Sequence, residues 1–378
     1  MQKTNNNSSP TQIAWRKLRS NYLATFGLCT ISAFLLIAIL GPFIRIDNSP
    51  KANQQQLELA RKQPGFQINF IKVPLEVKFK KQSFFEQWIF GVKSSHKLIP
   101  YYDIKLKDDQ LFVEKYTGLE PNNGEKLVFQ ASDFLTAKLT NEFVDEQLIV
   151  SKKFWLGTDR YGRDLLSRLM AGTWISFTVG FISILISLVI GISLGAAAGF
   201  FRGKLDDFIV WFINVVWSIP TLLLVIAITL ALGKGFWQVF VAVGLTMWVE
   251  VARVVRGQVL SMREMEYVEA GKALGFRSRK IIVKHLLPNI MGPIIVISAA
   301  NFAAAILIEA GLSFLGLGAQ PPQATWGKMI SEHKGYIITG DAFMAIFPGI
   351  AIFLLVLSFV LVGNGLRDAF DTKRSIDL

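Results

Sequence analysis

Six largely apolar runs, each about twenty residues or longer, dictate where this chain can fold. They are Tyr22–Ile44, Trp174–Phe200, Phe208–Leu232, Phe236–Val255, Met291–Leu317 and Phe343–Gly363. At a rise of 1.5 Å per residue the first run reaches roughly 35 Å, enough to cross a hydrocarbon core of about 30 Å with some tilt. Backbone groups inside lipid must be satisfied within their own segment, so runs of this length are expected to be helices. The whole chain agrees: 52% of its 378 residues are hydrophobic and 18% charged, with a mean hydropathy of +0.41. The first run is too long for a signal-peptide core and lacks a small-residue cleavage site, so it reads as a retained span. The expected fold class is an all-α polytopic membrane protein with six transmembrane helices and an α+β insert.

Charge orients the spans. Residues 46–150 carry 14 Lys+Arg and 14 Asp+Glu and are neutral, while the remaining 26 basic and 14 acidic residues hold the whole net charge of +12. A basic excess confined to the membrane part reads as topology and not as nucleic-acid binding. Loops on the side of the termini hold 17 Lys+Arg against nine on the opposite side outside the insert, and residues 1–21 have no acidic residue. The termini are therefore expected in the cytoplasm and the insert outside. The expected organisation is a cytoplasmic segment 1–21, a first span 22–44, an extracytoplasmic insert 45–150, an interfacial segment 151–172, a five-helix core 173–366 containing a loop at 257–290, and a cytoplasmic tail 367–378.

Residues 1–13 are Asn/Ser-rich and read as disordered, and Trp15 with Arg16, Lys17 and Arg19 suits a membrane interface. In the insert, Gln54–Gln63 is helix-like, Phe66–Val73 and Leu75–Phe79 alternate like strands, and Ile104–Lys107 with Leu111–Lys115 flank Asp108-Asp109 as a hairpin. Ser132 can cap a helix over Asp133–Val144. Between insert and core, Thr158 or Asp159 can cap a short helix, and Asp159/Arg163 and Asp164/Arg168 have i,i+4 spacing. Asp159 and Arg163 are candidates either for a gate or for anchoring the second span. Gly191, Gly195 and Gly199 form a smooth stripe for packing within the subunit or between subunits. Pro220 should kink the third span and free a carbonyl near the bundle interior. Glu309 is the one carboxylate well inside a span, a candidate for the translocation path or for pairing, unless the fifth span ends early and leaves it at the outer interface. Residues 318–341, with Pro321-Pro322 and Trp326, read as a structured or re-entrant loop.

The densest signal lies between the fourth and fifth spans. Met265–Leu274 has helix-forming composition with Glu266 and Glu269 early and Lys272 late, matching a helix dipole, and Gly275 is a stop. A second helix over Ser278–Leu287 ends near Pro288. Glu269-Ala270-Gly271, three residues, Gly275, nine residues, then His285-Leu286-Leu287-Pro288 resembles the EAA loop of ABC importer permeases, with Gly271 where the second alanine stands and His285 where isoleucine stands. Leu156-Gly157-Thr158-Asp159-Arg160-Tyr161-Gly162-Arg163-Asp164 resembles the segment before the second span in the peptide and nickel importers' C-type subunit. The resemblance implies ATPase coupling through Glu269, Ala270, Gly271, Gly275, Arg277, His285, Leu287 and Pro288. It implies a multi-pass protein of the bacterial cytoplasmic (inner) membrane. Its partners would be a homologous permease in a heterodimer, two ABC ATPase subunits and an extracytoplasmic solute-binding protein, besides membrane lipid. Oligopeptides or dipeptides are the implied substrate, with nickel complexes as the alternative.

The chain has no GxxxxGK[ST] loop, so ATP hydrolysis by that route falls to a partner. Its three histidines, His96, His285 and His333, are scattered, and no metal or cofactor is expected. An ion-driven secondary transporter would show paired midplane carboxylates and an internal repeat, neither of which is visible. An enzyme built on the insert would need a clustered catalytic set there, and none is present.

Overall fold

The computed structural model describes residues 10–75, 82, 83, 86, 87, 91, 92, 94–136, 138–233 and 235–370. Residues 1–9 and most of the strand expected over 75–79 lie outside these. The helix Pro10–Ser20 replaces the disorder expected for residues 10–13 and carries Arg19 5.1 Å from the Trp15 ring. Asn21 caps the helix Tyr22–Ile44, its Oδ1 accepting from the N–H groups of Leu23 and Ala24.

Five helices among the described residues are long and apolar enough to cross a membrane: Tyr22–Ile44, Leu165–Phe201, Phe236–Met262, Met291–Phe314 and Phe343–Phe370. The third expected span is instead a pair, Gly203–Trp217 and Thr221–Leu232, bent by 89°. Pro220 starts the second member of the pair, and it removes one donor and disfavours helical geometry at Ile219. The expected kink at Pro220 is therefore a full break. Pro220 is exposed in this chain and does not face the bundle interior.

The second span is longer than its apolar run. It begins at Leu165, where Asp164 Oδ2 accepts from Ser167 N at 2.9 Å, so the cap is Asp164 and not Thr158 or Asp159. That role takes Asp164 away from the expected pair with Arg168. The glycine stripe packs inside the chain against the 236–262 helix. A Cβ on Gly191 would lie 2.6 Å from Val251 Cβ, and one on Gly195 2.5 Å from the Ala252 carbonyl oxygen. Small residues here let two backbones approach closely, as lipid-embedded helices require.

The insert is a five-stranded antiparallel sheet in the order β4-β3-β2-β1-β5, formed by β1 (Phe66–Pro74), β2 (His96–Lys107), β3 (Gln110–Lys115), β4 (Lys126–Gln130) and β5 (Ile149–Phe154). The hairpin at Asp108-Asp109 forms as expected, with φ of 50° and 60°, the left-handed pair that a two-residue turn needs. One sheet face buries Ile71, Ile99, Leu111 and Val113 beneath Phe134 and Val144. Two expected helices do not form. Residues 54–63 hold only the short turn Leu57–Leu59. After Ala131–Phe134 the chain reverses at Leu135 in the left-handed region before the short helical pieces Asn141–Phe143 and Val144–Leu148. In both places tertiary packing overrides a weak local propensity.

Candidate functional site

The segment after the fourth span builds a two-helix knob. Helix Glu266–Ala273 ends in paired hydrogen bonds, Phe276 N–H to Gly271 O at 3.0 Å and Gly275 N–H to Lys272 O at 2.9 Å, with Gly275 at φ +75°. This is a Schellman turn, and it needs the left-handed residue that glycine supplies without a Cβ penalty. The chain turns into Ser278–Ile281, continues helically through Ile282–Leu286 and ends at Leu287–Asn289 beside Pro288.

One side of the knob is apolar and fixed to the bundle. Val268, Ile281, Leu286 and Ile290 are buried with Phe200, Val251, Val255, Val259 and Ile294. His285 stacks on Phe276, ring centroids 6.1 Å apart at 14°, and Lys280 Nζ lies 3.4 Å from the other ring centre of this stack, that of Phe276. The opposite side is free in this chain. Glu269, Ala270, Gly275, Arg277 and Pro288 are exposed, and Leu274 is 73% exposed. Glu269 makes no ion pair among the described residues. Leu287 and His285 are half-buried at the margin. A rigid knob with an apolar root and an exposed face of mixed charge and hydrophobicity is suited to receive force from a partner.

Gly271 is buried, yet a Cβ built there would come no nearer than 3.6 Å to Phe276 Cδ2 and 3.9 Å to Ile281 Cγ1, ordinary contacts. Gly271→Ala is therefore expected to stabilise the knob by up to about 1 kcal/mol through helix propensity and to leave uptake intact. Thermal unfolding and uptake of the variant check this; a lower midpoint would mean that the site has no room for a methyl group.

A second cluster lies where the insert meets the bundle. Asp159 Oδ1 accepts from the N–H groups of Tyr161 at 2.8 Å and Arg163 at 3.0 Å. Its Oδ2 takes Arg163 Nε at 2.6 Å, with Arg168 Nε 3.7 Å away. Arg163 also reaches Asn53 Oδ1 at 3.0 Å and Glu332 at 3.4 Å. The Asp159/Arg163 spacing thus forms its pair in a buried turn and not on a helix. Gly162, at φ +70°, lies against the Gln56 carbonyl so closely that a Cβ would come within 1.7 Å of it. Nearby, burial pushes the Asp164 carboxyl above its ordinary range against the opposing bonds from Ser167, and burial lowers the Lys152 ammonium. Arg61 and Gln63 of the insert bond Asp341 at 2.7 and 2.9 Å. Asn53, Glu332 and Asp341 were not singled out by sequence reasoning, and nothing local marks them; partners are up to 280 positions away.

Glu309 is buried in the 291–314 helix, where one oxygen accepts from Ser313 Oγ at 2.6 Å. The loop after this helix folds back over it. Thr325 caps Trp326–His333, and Trp326 Nε1 donates to Leu169 O at 2.9 Å. Among the described residues no hydrogen bond or ion pair joins Pro220, Glu309 and the Asp159/Arg163 pair to one another, although Arg163 reaches Glu332 on the 326–333 helix that Thr325 caps.

The described residues thus form a bundle of membrane-length helices, one pair of them broken, with an exposed two-helix knob at one end of the 236–262 helix. Residues 191–376 match the family described as binding-protein-dependent transport system inner membrane component, and residues 9–64 match the N-terminal TM domain of oligopeptide transport permease C. The chain is 40% identical over 223 residues to the glutathione transport system permease protein GsiD of Pectobacterium atrosepticum, covering 59% of this chain and 74% of that one. It is 42% identical over 229 residues to the dipeptide transport system permease protein DppC of Bacillus subtilis, covering 61% and 72%. With the oligopeptide transport system permease protein OppC of the same organism it shares 37% over 246 residues, covering 65% and 79%. The chain belongs to the binding-protein-dependent transport system inner membrane components, the permease subunits of ABC importers.

Proposed function

We propose that this chain forms half of the path by which an ATP-driven importer carries oligopeptides or dipeptides across the cytoplasmic membrane. The observation that carries the reading is the knob at 266–289, fixed to the bundle on one side and exposed at Glu269, Ala270, Gly275 and Arg277 on the other. The relatives named for dipeptide, oligopeptide and glutathione transport support the substrate class. In this reading a homologous permease completes a heterodimer, two ATPase subunits dock on the knobs, and a solute-binding protein delivers peptide to the opposite face. Closure of the ATPases pulls the knob, whose buried Val268, Ile281 and Leu286 pass the motion to the 236–262 and 291–314 helices. Glu269, Ala270, Gly275, Arg277 and Pro288 form the coupling surface, with His285 and Leu287 at its margin and Gly271 buried beneath it; Pro220 and Glu309 act on the path, while Asp159 and Arg163 anchor the entry of the second span. The free energy is the partners', and this chain supplies path and lever.

Restoring labelled di- and tetrapeptide uptake in a strain lacking the chain, with an ATPase copurifying with the tagged protein, tests the function. Copurification without uptake of either peptide would remove the substrate class, and loss of both would remove the function.

The termini and the 257–290 loop lie in the cytoplasm and 45–150 outside, a placement supported by the basic excess of the former loops. The sheet itself runs past residue 150, since β5 ends at Phe154. With Cys29→Ser as background, Asn123→Cys should react with an impermeant thiol reagent in intact cells and Ser278→Cys should not. Labelling of position 278 with the membrane intact would invert the topology.

A further inference from the structure

On the face of the bundle that carries the insert, a cavity of about 410 Å³ opens where the first span ends. Its walls come from the end of the 22–44 helix, the starts of the 165–201 and 236–262 helices, and the loop at Gln323. Most of this lining is carbon, from Ala38, Met170, Phe236 and their neighbours, and the volume lies in the range of small-ligand sites. Trp174 and Trp237 stand at the rim, 45% and 64% exposed, as tryptophans do at the level of lipid headgroups.

The polar part of the wall is unusual. Arg45 is 8% exposed and its Nε has no hydrogen-bond partner. Its Nη2 donates to the Ser49 carbonyl at 3.0 Å, which holds the guanidinium against the turn Pro50–Ala52 that carries Lys51. Asp47 is near, but its two oxygens are taken by the N–H groups of Ser49 at 2.9 Å and Gln54 at 3.0 Å. Neither Arg45 nor Lys51 makes an ion pair among the described residues. Gln323 Oε1, also in the wall, is buried without a donor. Asp47 still offsets one positive charge, but Arg45 and Lys51 together leave the wall with one cation in excess and Arg45 Nε without an acceptor. A buried polar group left unpaired is costly, and an anionic ligand supplies both the charge and the acceptor.

We propose that this cavity binds one phospholipid of the leaflet on the insert side, with an acyl chain along the apolar wall and its phosphodiester on Arg45 and Lys51. Gln323 Oε1 then accepts from a headgroup donor such as a glycerol hydroxyl. The occupant is a lipid and not a helix of the partner permease, because an apolar helix fills the wall but offers neither an acceptor to Arg45 Nε nor a charge to Lys51. Bound lipid would tie the first span to the 236–262 helix, both of which line this gap.

The test is native mass spectrometry of the purified importer complex titrated with phosphatidylglycerol, with diacylglycerol of the same chains and inorganic phosphate as separate probes. The wild-type complex is expected to take up phosphatidylglycerol saturably, at one molecule per copy of this chain, and to bind diacylglycerol at least about tenfold more weakly, a loss of 1.4 kcal/mol or more. Arg45→Gln combined with Lys51→Gln should weaken phosphatidylglycerol by a similar factor, with Arg45→Lys restoring part of it. Ala171→Phe keeps every charge and fills the apolar wall, so it should remove the lipid even if the charge variant fails to assemble. Equal lipid binding by the wild type and Ala171→Phe overturns the proposal. So does phosphate alone matching the lipid, or a cross-link from Ala171→Cys (with Cys29→Ser) to the partner permease in a complex without retained lipid.

Discussion

Glu269→Lys and Gly275→Asp should each reduce uptake by about tenfold or more, equivalent to at least 1.4 kcal/mol of lost coupling, while the chain stays inserted at normal abundance. Glu269 is exposed and makes no ion pair among the described residues, so reversing its charge breaks no salt bridge there. What it changes is the face offered to a partner, where like-charge juxtaposition costs several kcal/mol. Gly275 acts through the backbone: at φ +75° it closes the Schellman turn, and a side chain there adds roughly 1–2 kcal/mol of local strain. That strain falls on an exposed turn with open space around the glycine, too small to unfold the bundle. Uptake and membrane abundance measured together decide the matter. Normal uptake in Glu269→Lys, or losses that track abundance, would remove the knob from the coupling path.

Asp159→Asn should do the reverse, lowering abundance first. The substitution keeps an acceptor for the Tyr161 and Arg163 N–H groups but deletes the charge shared by Arg163 and Arg168. Two guanidiniums would then share Glu332 and, for Arg168, the charge of Asp47, in a site where Arg163 and Arg168 are 5% and 2% exposed. Breaking a buried pair from one side costs about 3–5 kcal/mol. Adding Arg163→Met removes one of the two cations, so the double variant should recover much of the abundance lost by Asp159→Asn. Thermal stability of the solubilised complex gives the same comparison without the cell. If Asp159→Asn is as stable as the parent yet fails to transport, the pair is a gate and not an anchor.

The length and composition of the apolar runs determined that the chain is a membrane helix bundle, because lipid offers the backbone no other hydrogen-bonding partner. Local chemistry also determined the knob. The charges of Glu266, Glu269 and Lys272, the stop at Gly275 and the proline at 288 all act within a few residues, and the helices formed where they point. The Asp108-Asp109 hairpin was legible for the same reason. Tertiary structure decided what depends on distant partners. Gly191 and Gly195 could have served any helix, and packing put them against Val251 and Ala252. Pro220 marked a bend, but the 89° angle belongs to the two helices it separates. The spacing of Asp159 and Arg163 fitted a helix equally well, until Asn53, Arg168 and Glu332 closed around them in a buried turn. Burial makes those charges dependent on one another, and no local pattern records which remote segment will supply the neutralising group.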